Sequence, residues 1–206
     1  MRKLSSELLL ALSKTFNSER IAALSAIVTA GAAFERSLFS LGVFMENIKL
    51  YEIDQKYISY LTKFAPHLFH NKQAGQNNER KYIGVVFYIN GFEYFAPLSS
   101  FKPKHQKMKE CIDFLKIKEY AVINLNNMFP VPSGLCTYVD INSQRNLKYK
   151  ALLLAEYRAI KAMQEKIRKN AKTLYHLKLK EGTSSSLAKR CNDFQLLEKA
   201  CTEYKV

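Results

Sequence analysis

Runs of alternating, β-branched and aromatic residues in the middle of the chain predict strands. The clearest pair is Tyr82–Ile89 and Phe92–Pro97, which are separated by Asn90-Gly91. Asn-Gly between two such runs is the strongest short-range signal for a two-residue β-hairpin. The same pattern predicts further strands at Lys49–Ile53, Ile112–Lys116, Tyr120–Asn124 and Leu135–Val139.

Helical periodicity takes over in the last third of the chain. From about Asn146 to Leu179, apolar residues recur at spacings of three, four and seven, which is typical of a helix with one buried face. Shorter helices are predicted at Gln55–Phe64, after a cap at Asp54, and at Phe194–Tyr204. Strands come first and helices later, so the pattern predicts an α+β fold with a mainly antiparallel sheet rather than βαβ units.

The first 44 residues have a different pattern, apolar and rich in small side chains. They predict two helices, roughly Ser5–Phe16 and Glu19–Gly42. The apolar run Ile21–Ala33 is shorter than the roughly 20 residues that span a bilayer, although its length also suits the core of a secretory signal. A start at Met45 is a further alternative. We therefore divide the chain into an N-terminal helical extension, 1–44, whose place in the native protein stays open, and one domain, 45–206.

The net charge of the chain narrows the classes of partner that it can be expected to bind. Lys and Arg number 32 against 18 Asp and Glu, giving a net charge of +14, nearly all of it after residue 44. Such a balance favours a polyanionic partner, either nucleic acid or an anionic membrane surface. The four cysteines form no C-x-x-C pair and match no zinc spacing. They are typical of reduced thiols, and we expect a cytoplasmic protein.

Phosphate-loop, dinucleotide and zinc-protease motifs are absent from the sequence, and seven glycines leave little for a phosphate-cradling loop. His67 and His70 are three residues apart but have no third metal ligand nearby. We therefore predict neither metal nor cofactor. One metal-free cleavage route is open to RNA, because its own 2′-OH can attack the adjacent phosphate. The products are a 2′,3′-cyclic phosphate and a 5′-OH.

Two basic segments could serve that chemistry. Ser99, Ser100 and Lys102 supply two hydroxyls and an ammonium directly after the hairpin. Predicted RNA contacts near them are Lys104, His105, Lys107 and Lys109, and a second set lies in the long helical region: Lys148, Arg158, Lys161, Arg168 and Lys172. The alternatives are a solvated loop that only grips phosphate and an ordinary solvated helix face.

Four segments carry a resemblance to a known family: Leu50–Ile53 with Tyr57, Ile58, Tyr60 and Leu61, then Tyr82–His105, Val122–Pro132 and Cys191–Glu198. The second and third are long and specific, and they include Ala96-Pro97-Leu98-Ser99-Ser100 and Asn124-Leu125-Asn126-Asn127. From Met45 almost to its end, the chain resembles the ToxN/AbiQ family. Its members are endoribonuclease toxins of type III toxin–antitoxin and phage-abortive systems.

The resemblance implies properties that composition does not. The expected fold is a compact, partly closed antiparallel barrel wrapped by helices. The expected activity is metal-free RNA cleavage that leaves cyclic phosphates. Expected partners are cellular or phage RNA and an inhibitory antitoxin RNA of repeated pseudoknots, which closes with the toxin into a ring-like hetero-oligomer.

Family active-site positions fall on five residues of this chain. A hydroxyl–serine–x–lysine element falls on Ser99, Ser100 and Lys102, with Ser100 at the scissile phosphate and Lys102 stabilising its charge. A tyrosine of the first helix falls on Tyr57, and a basic residue before the hairpin falls on Arg80, where some members have lysine. The resemblance thus implies a catalytic set of Ser100, Lys102, Ser99, Tyr57 and Arg80.

The chain departs from the family at two positions. Gln76 stands where the family has a second tyrosine, and Phe101 replaces a proline that commonly follows the second serine. Three hypotheses follow: a metal-independent endoribonuclease toxin, a non-catalytic RNA-binding module, and a membrane-surface protein anchored by residues 1–44. The first is the prediction that the resemblance favours, with no membrane contact.

Overall fold

The computed structural model describes residues 47–65 and 81–205, and these form an antiparallel sheet with helices. Its strands are β1 (Lys49–Ile53), β2 (Tyr82–Ile89), β3 (Phe92–Ser100), β4 (Phe114–Ile117), β5 (Ala121–Asn124), β6 (Phe129–Pro130) and β7 (Cys136–Tyr138). Its helices are α1 (Gln55–Leu61), α2 (Pro103–Lys107), α3 (Leu147–Ala162), α4 (Gln164–Glu181), α5 (Ser186–Arg190) and α6 (Phe194–Glu203).

All strand pairs in the described sheet are antiparallel, in the order β4-β5-β3-β2-β1-β7, and β6 also pairs with β3. The predicted α+β class with a mainly antiparallel sheet is confirmed. The edge strands β4 and β7 do not pair with each other, so the described sheet is open. The partly closed barrel that the resemblance implies stays a prediction.

The β2–β3 hairpin forms where Asn-Gly predicts it. Asn90 and Gly91 have φ values of 51° and 86°. Positive φ at both central residues is the requirement of a type I′ turn, and its twist suits a two-residue hairpin. β3 continues three residues beyond the predicted end at Pro97, because its last residues pair with β5, Ser100 opposite Ala121.

Two apolar clusters lie on opposite faces of the sheet. Side chains alternate along a strand, so Tyr82 and Phe95 join one cluster while their neighbours Ile83 and Tyr94 join the other. Helices α3 and α4 contribute to the Ile83 cluster, and α1 contributes to the Tyr82 cluster. Helix α6 supplies side chains to both. The central strand β3 is thus fixed from both faces.

The long helical region is two helices rather than one. They meet at Met163, whose backbone (φ −115°, ψ 15°) leaves the helical conformation without a proline or glycine. Several smaller boundaries differ from prediction: α1 ends at Leu61, β4 runs from Phe114 to Ile117, and α6 ends at Glu203.

Several predictions fall outside the described residues. They are the two helices at Ser5–Phe16 and Glu19–Gly42, the division at residue 44, the loop up to residue 80, and the assignments to His67, His70, Gln76 and Arg80. Among the helices that the structure describes, none is long and apolar enough to cross a bilayer.

Candidate active site

The predicted catalytic segment begins on the last residues of β3. Leu98, Ser99 and Ser100 pair with β5, and the Phe101 N–H continues this pairing by donating to the Tyr120 oxygen at 3.1 Å. Backbone pairing therefore fixes the two serines in an ordered strand end rather than a free loop.

Exposure alternates along this segment. Leu98 is buried and Ser99 is half-buried, whereas Ser100 and Lys102 are exposed with the half-buried Phe101 between them. Lys102 has extended backbone (φ −127°, ψ 156°). Residues two apart in an extended chain point to the same side, so we expect the Ser100 hydroxyl and the Lys102 ammonium to face solvent together.

A one-turn helix, α2, starts immediately after Lys102. Pro103 occupies its first position, where a residue without an N–H costs nothing. The His105 N–H donates to the Lys102 oxygen at 2.8 Å, and the Lys102 N–H donates to His105 Nδ1 at 3.0 Å. Both main-chain groups of Lys102 are therefore held by one residue.

His105 is buried rather than exposed to RNA. Only 6% of its surface is exposed. Its ring lies edge-on to Phe101 and Phe114, at centroid distances of 5.6 and 5.8 Å. The ring of Phe101, at the position where the family commonly has proline, thus supports the turn by packing. Burial, together with the charges of Lys104, Lys102 and Lys116, lowers the pKa of His105.

The other predicted contacts of this segment are placed as expected for a phosphate-binding surface. Lys104, Lys107 and Lys109 are exposed beside Lys102. Four exposed basic residues on α3 and α4 extend the positive charge: Lys148, Arg158, Lys161 and Lys172. Whether RNA follows these residues stays a prediction.

Arg168 does not share that placement. Its side chain is 5% exposed and pairs with Glu165 at 3.1 Å. It follows Ile167 on the inner side of α4, so its charge is compensated within the protein. In this structure Arg168 is therefore not on the exposed basic surface where we predicted it.

Tyr57 is also placed away from the exposed serine. It is fully buried in α1, and its hydroxyl donates to the Pro130 oxygen at 2.8 Å. Pro130 pairs with Tyr94, near the opposite end of β3 from Ser100. Burial and a hydrogen bond with Cys201 raise the pKa of Tyr57. The structure does not bring its hydroxyl to Ser100, and a direct role in cleavage stays a prediction.

Lys81 lies directly before β2 and directly after Arg80, the position predicted for a basic catalytic group. It forms an ion pair with Glu52, and its oxygen accepts a hydrogen bond from Leu98, directly before the serines. Burial lowers the pKa of Lys81. Lys81 thus connects β1, β2 and the site strand, which the sequence alone did not indicate.

The capping role of His105 was missed at the sequence level, although a signal exists. Lys102-Pro103-Lys104-His105 has proline at the first helical position and a hydrogen-bond acceptor at the third, as in a capping box. Among the described residues, no group of three His, Cys, Asp or Glu side chains is arranged to hold a metal ion.

The exposed Ser100 hydroxyl and Lys102 ammonium lie at an ordered strand end with further lysines beside them. Such a surface is chemically suited to a protein that binds phosphodiesters. The family model described as "Toxin ToxN, type III toxin-antitoxin system" matches residues 49–202. The chain therefore belongs to the ToxN toxin family of type III toxin–antitoxin systems.

Curated relatives agree with this assignment. The chain is 31% identical over 165 residues to endoribonuclease ToxN of Pectobacterium atrosepticum, covering 76% of this chain and 94% of the relative. It is 30% identical over 168 residues to endoribonuclease ToxN of Bacillus thuringiensis subsp. kurstaki, covering 78% and 86%. Endoribonuclease AbiQ of Lactococcus lactis subsp. lactis is 27% identical over 180 residues, covering 82% and 95%.

Solved structures have the same fold. One, from work on a processed non-coding RNA that regulates a bacterial antiviral system, has a TM-score of 0.68 at 28% identity and covers 77% of this chain and 99% of that chain. A second, from work on selective toxin inhibition by a non-coding RNA pseudoknot, has a TM-score of 0.65 at 27% identity, covering 77% and 98%. AbiQ, a lactococcal anti-phage endoribonuclease, has a TM-score of 0.67 at 25% identity, covering 76% and 97%.

Proposed function

We propose that this endoribonuclease toxin cleaves RNA without a metal ion, using the 2′-OH of the substrate as nucleophile. Its membership of the ToxN family and relatives named endoribonucleases make it an endoribonuclease. The observation that carries the mechanism is the paired exposure of Ser100 and Lys102 at the end of β3.

The bonds change as follows. The 2′ oxygen attacks the adjacent phosphorus and loses its proton, while the bond from phosphorus to the 5′ oxygen breaks and that oxygen gains a proton. The products are a 2′,3′-cyclic phosphate and a 5′-OH, and no water is consumed. The protein must orient the attack and neutralise charge on the pentacoordinate phosphate.

The described residues suit those tasks. The Ser100 hydroxyl can hydrogen-bond a non-bridging phosphate oxygen, and the Lys102 ammonium can offset its charge. Ser99, half-buried and paired with β5, orders the strand end. For Tyr57 its placement supports a role in positioning rather than direct contact. Arg80, directly before Lys81 in the chain, stays in the proposed catalytic set as its basic residue before the hairpin.

The proposed partners are RNAs of two kinds. The substrates would be cellular or phage RNA, and the inhibitor an antitoxin RNA of pseudoknot repeats, forming a ring-like hetero-oligomer with the toxin in the cytoplasm. Support comes from a structural neighbour from work on toxin inhibition by an RNA pseudoknot, and from a relative described as an anti-phage endoribonuclease.

The test is cleavage of a mixed RNA in EDTA by wild type and Ser100→Ala, with mapping of the new ends. We expect wild type to leave cyclic phosphates. Ser100→Ala should lose about 100-fold or more in rate, as when a transition-state donor is removed, while still binding RNA.

Ser186→Ala is the matched control, because Ser186 is an exposed serine on α5. It should cleave like wild type. Cleavage that requires Mg²⁺ would contradict the mechanism. If Ser100→Ala cleaves at the wild-type rate, the serine is misassigned, and absence of cleavage by wild type would favour a non-catalytic RNA-binding module.

A further inference from the structure

Within residues 99–109, His105 is the one buried residue, and its side chain accepts a hydrogen bond from the backbone of Lys102. It stands at the third position of α2, three residues after Lys102. Its basic neighbours in that helix, Lys104 and Lys107, are exposed. The His105 ring is therefore buried in a helix whose other polar side chains face solvent.

The hydrogen bonds fix the protonation state of the ring. His105 Nδ1 accepts from the Lys102 N–H at 3.0 Å, so Nδ1 carries no proton in this arrangement. A histidine whose Nδ1 accepts is neutral, with its proton on Nε2. Protonation of Nδ1 would remove the acceptor and turn this contact into a repulsive one.

The charges that face His105 oppose protonation. Lys102 and Lys104 come from its own segment and Lys116 from β4, while Phe101 and Phe114 contribute rings without charge. Of the two carboxylates that precede β4, Glu110 is engaged with the Lys116 N–H at 2.8 Å and with Lys166 at 3.0 Å, and Asp113 is paired with Arg190 at 2.9 Å. The surroundings therefore favour the neutral ring that the hydrogen bond requires.

We propose that His105 is a positioning residue for RNA cleavage: its neutral imidazole holds the Lys102 backbone and thereby orients the Lys102 ammonium beside Ser100. This inference rests on the proposed function for its catalytic readout. Because His105 is buried, its removal should lower the cleavage rate rather than RNA affinity.

Glutamine offers a conservative replacement. In a capping box, Gln at the third helical position accepts from the N–H of the capping residue, which is the bond that His105 makes. Glutamine does not titrate. His105→Gln should therefore keep the Lys102 backbone in place and remove any pH dependence that the imidazole brings.

The experiment compares single-turnover cleavage and RNA affinity of wild type, His105→Ala, His105→Gln and the control Gln106→Ala, whose side chain is exposed on the same helix. We expect His105→Ala to lose about 10- to 100-fold in rate, since small misplacements of catalytic groups have such effects. His105→Gln should recover most of it, and Gln106→Ala should match wild type, with RNA affinity unchanged throughout.

The pH profile gives a readout that packing alone would not change. Wild-type cleavage should fall as the pH drops through the lowered pKa of His105, and His105→Gln should lack this fall. If His105→Gln is as slow as His105→Ala, the imidazole acts chemically and the positioning role is wrong. A wild-type rate for His105→Ala, or an unchanged acid limb in His105→Gln, would also overturn it.

Hydrogen exchange of the Lys102 amide separates this inference from the proposed function. The amide should be protected in wild type and His105→Gln and exchange faster in His105→Ala. If Ser100→Ala cleaves normally, the proposed mechanism fails while the exchange data still decide whether His105 holds Lys102. Equal exchange rates of the Lys102 amide in all three proteins would show that His105 does not hold the Lys102 backbone. Should His105→Ala not fold, the acid limb of His105→Gln decides the question.

Discussion

Gly84 shows how closely one residue can be fitted to its neighbour. It lies in β2 at the start of an irregularity between Ile83 and Phe87 in the pairing with β3. A Cβ built on Gly84 would overlap the ring of Phe95, which is fully buried. The ring takes the space that any larger residue would need.

We predict that Gly84→Ala lowers the free energy of unfolding by about 1–3 kcal/mol, as overpacking does in a filled core. Urea unfolding measures this change. Gly134→Ala is the control, because no atom of the described residues, apart from its chain neighbours, lies within 4 Å of a Cβ at Gly134. Equal stability of the two variants would show that the Phe95 ring can move aside.

For single residues, the sequence predicts which residues belong to the candidate active site, but not which of their side chains are exposed. Ser100 and Lys102 are close together in the chain, so their proximity is a local property. The burial of His105 requires the ring of Phe114, which arrives with β4. Tyr57 is enclosed by contacts with segments far along the chain, including Pro130. Such burial depends on tertiary packing, which periodicity does not reveal.

Among the helices, α3 buries a carboxyl group along its apolar face. Glu156 is 6% exposed and lies three residues after the buried Leu153 and four before the buried Ile160. Burial raises the pKa of Glu156 to about 7, from an ordinary value of 4.5. Between pH 4.5 and about 7, the folded protein thus keeps a proton on Glu156 that the unfolded chain releases.

This raised pKa fixes the sign of a pH effect. Stability from the protonated Glu156 is fully present below 4.5 and is lost as the pH rises to about 7. Glu156→Gln should therefore stabilise the protein at about pH 9, by up to about 3 kcal/mol, and have little effect at about pH 4. Unfolding curves at both pH values check this.

Glu119→Gln, at an exposed position between β4 and β5, is the control and should change little at either pH. A stabilisation of Glu156→Gln that is equal at both pH values would argue against titration of the buried carboxyl as its cause.

Predictability at the element scale follows the strength of local signals. The β2–β3 hairpin is predicted correctly because Asn90 and Gly91 accept positive φ. The break at Met163 was missed, since neither proline nor glycine marks it. β3 extends to Ser100 because β5 supplies partners, and a polar strand end resembles a loop in the sequence.

The whole molecule carries a net charge of +14, and RNA binding should depend steeply on salt. We predict that the double variant Lys104→Ala and Lys107→Ala reduces the slope of log affinity against log salt by about 1.4, or roughly 0.7 for each phosphate of a single strand that a lysine no longer neutralises. The measurement uses the Ser100→Ala background, so that the RNA stays intact.

The control is the double variant Lys180→Ala and Lys189→Ala, which removes equal charge from exposed positions on α4 and α5. Its slope should stay close to that of the parent. Equal slopes for the two double variants would mean that RNA senses only the overall charge, and the surface beside Lys102 would lose its assignment.

The strand that ends in Ser100 is held by segments that come much later in the chain. The Tyr94 hydroxyl of β3 donates to Glu198 at 2.8 Å, 104 residues later in the sequence. Pro130, which pairs with Tyr94, accepts a hydrogen bond from the Tyr57 hydroxyl, 73 residues earlier. A nascent chain that has emerged from the ribosome only through β3 lacks these anchors. We therefore expect the Ser100 end of β3 to become fully ordered only after the C-terminal helix has been synthesised, so that the proposed cleavage site would form late in translation.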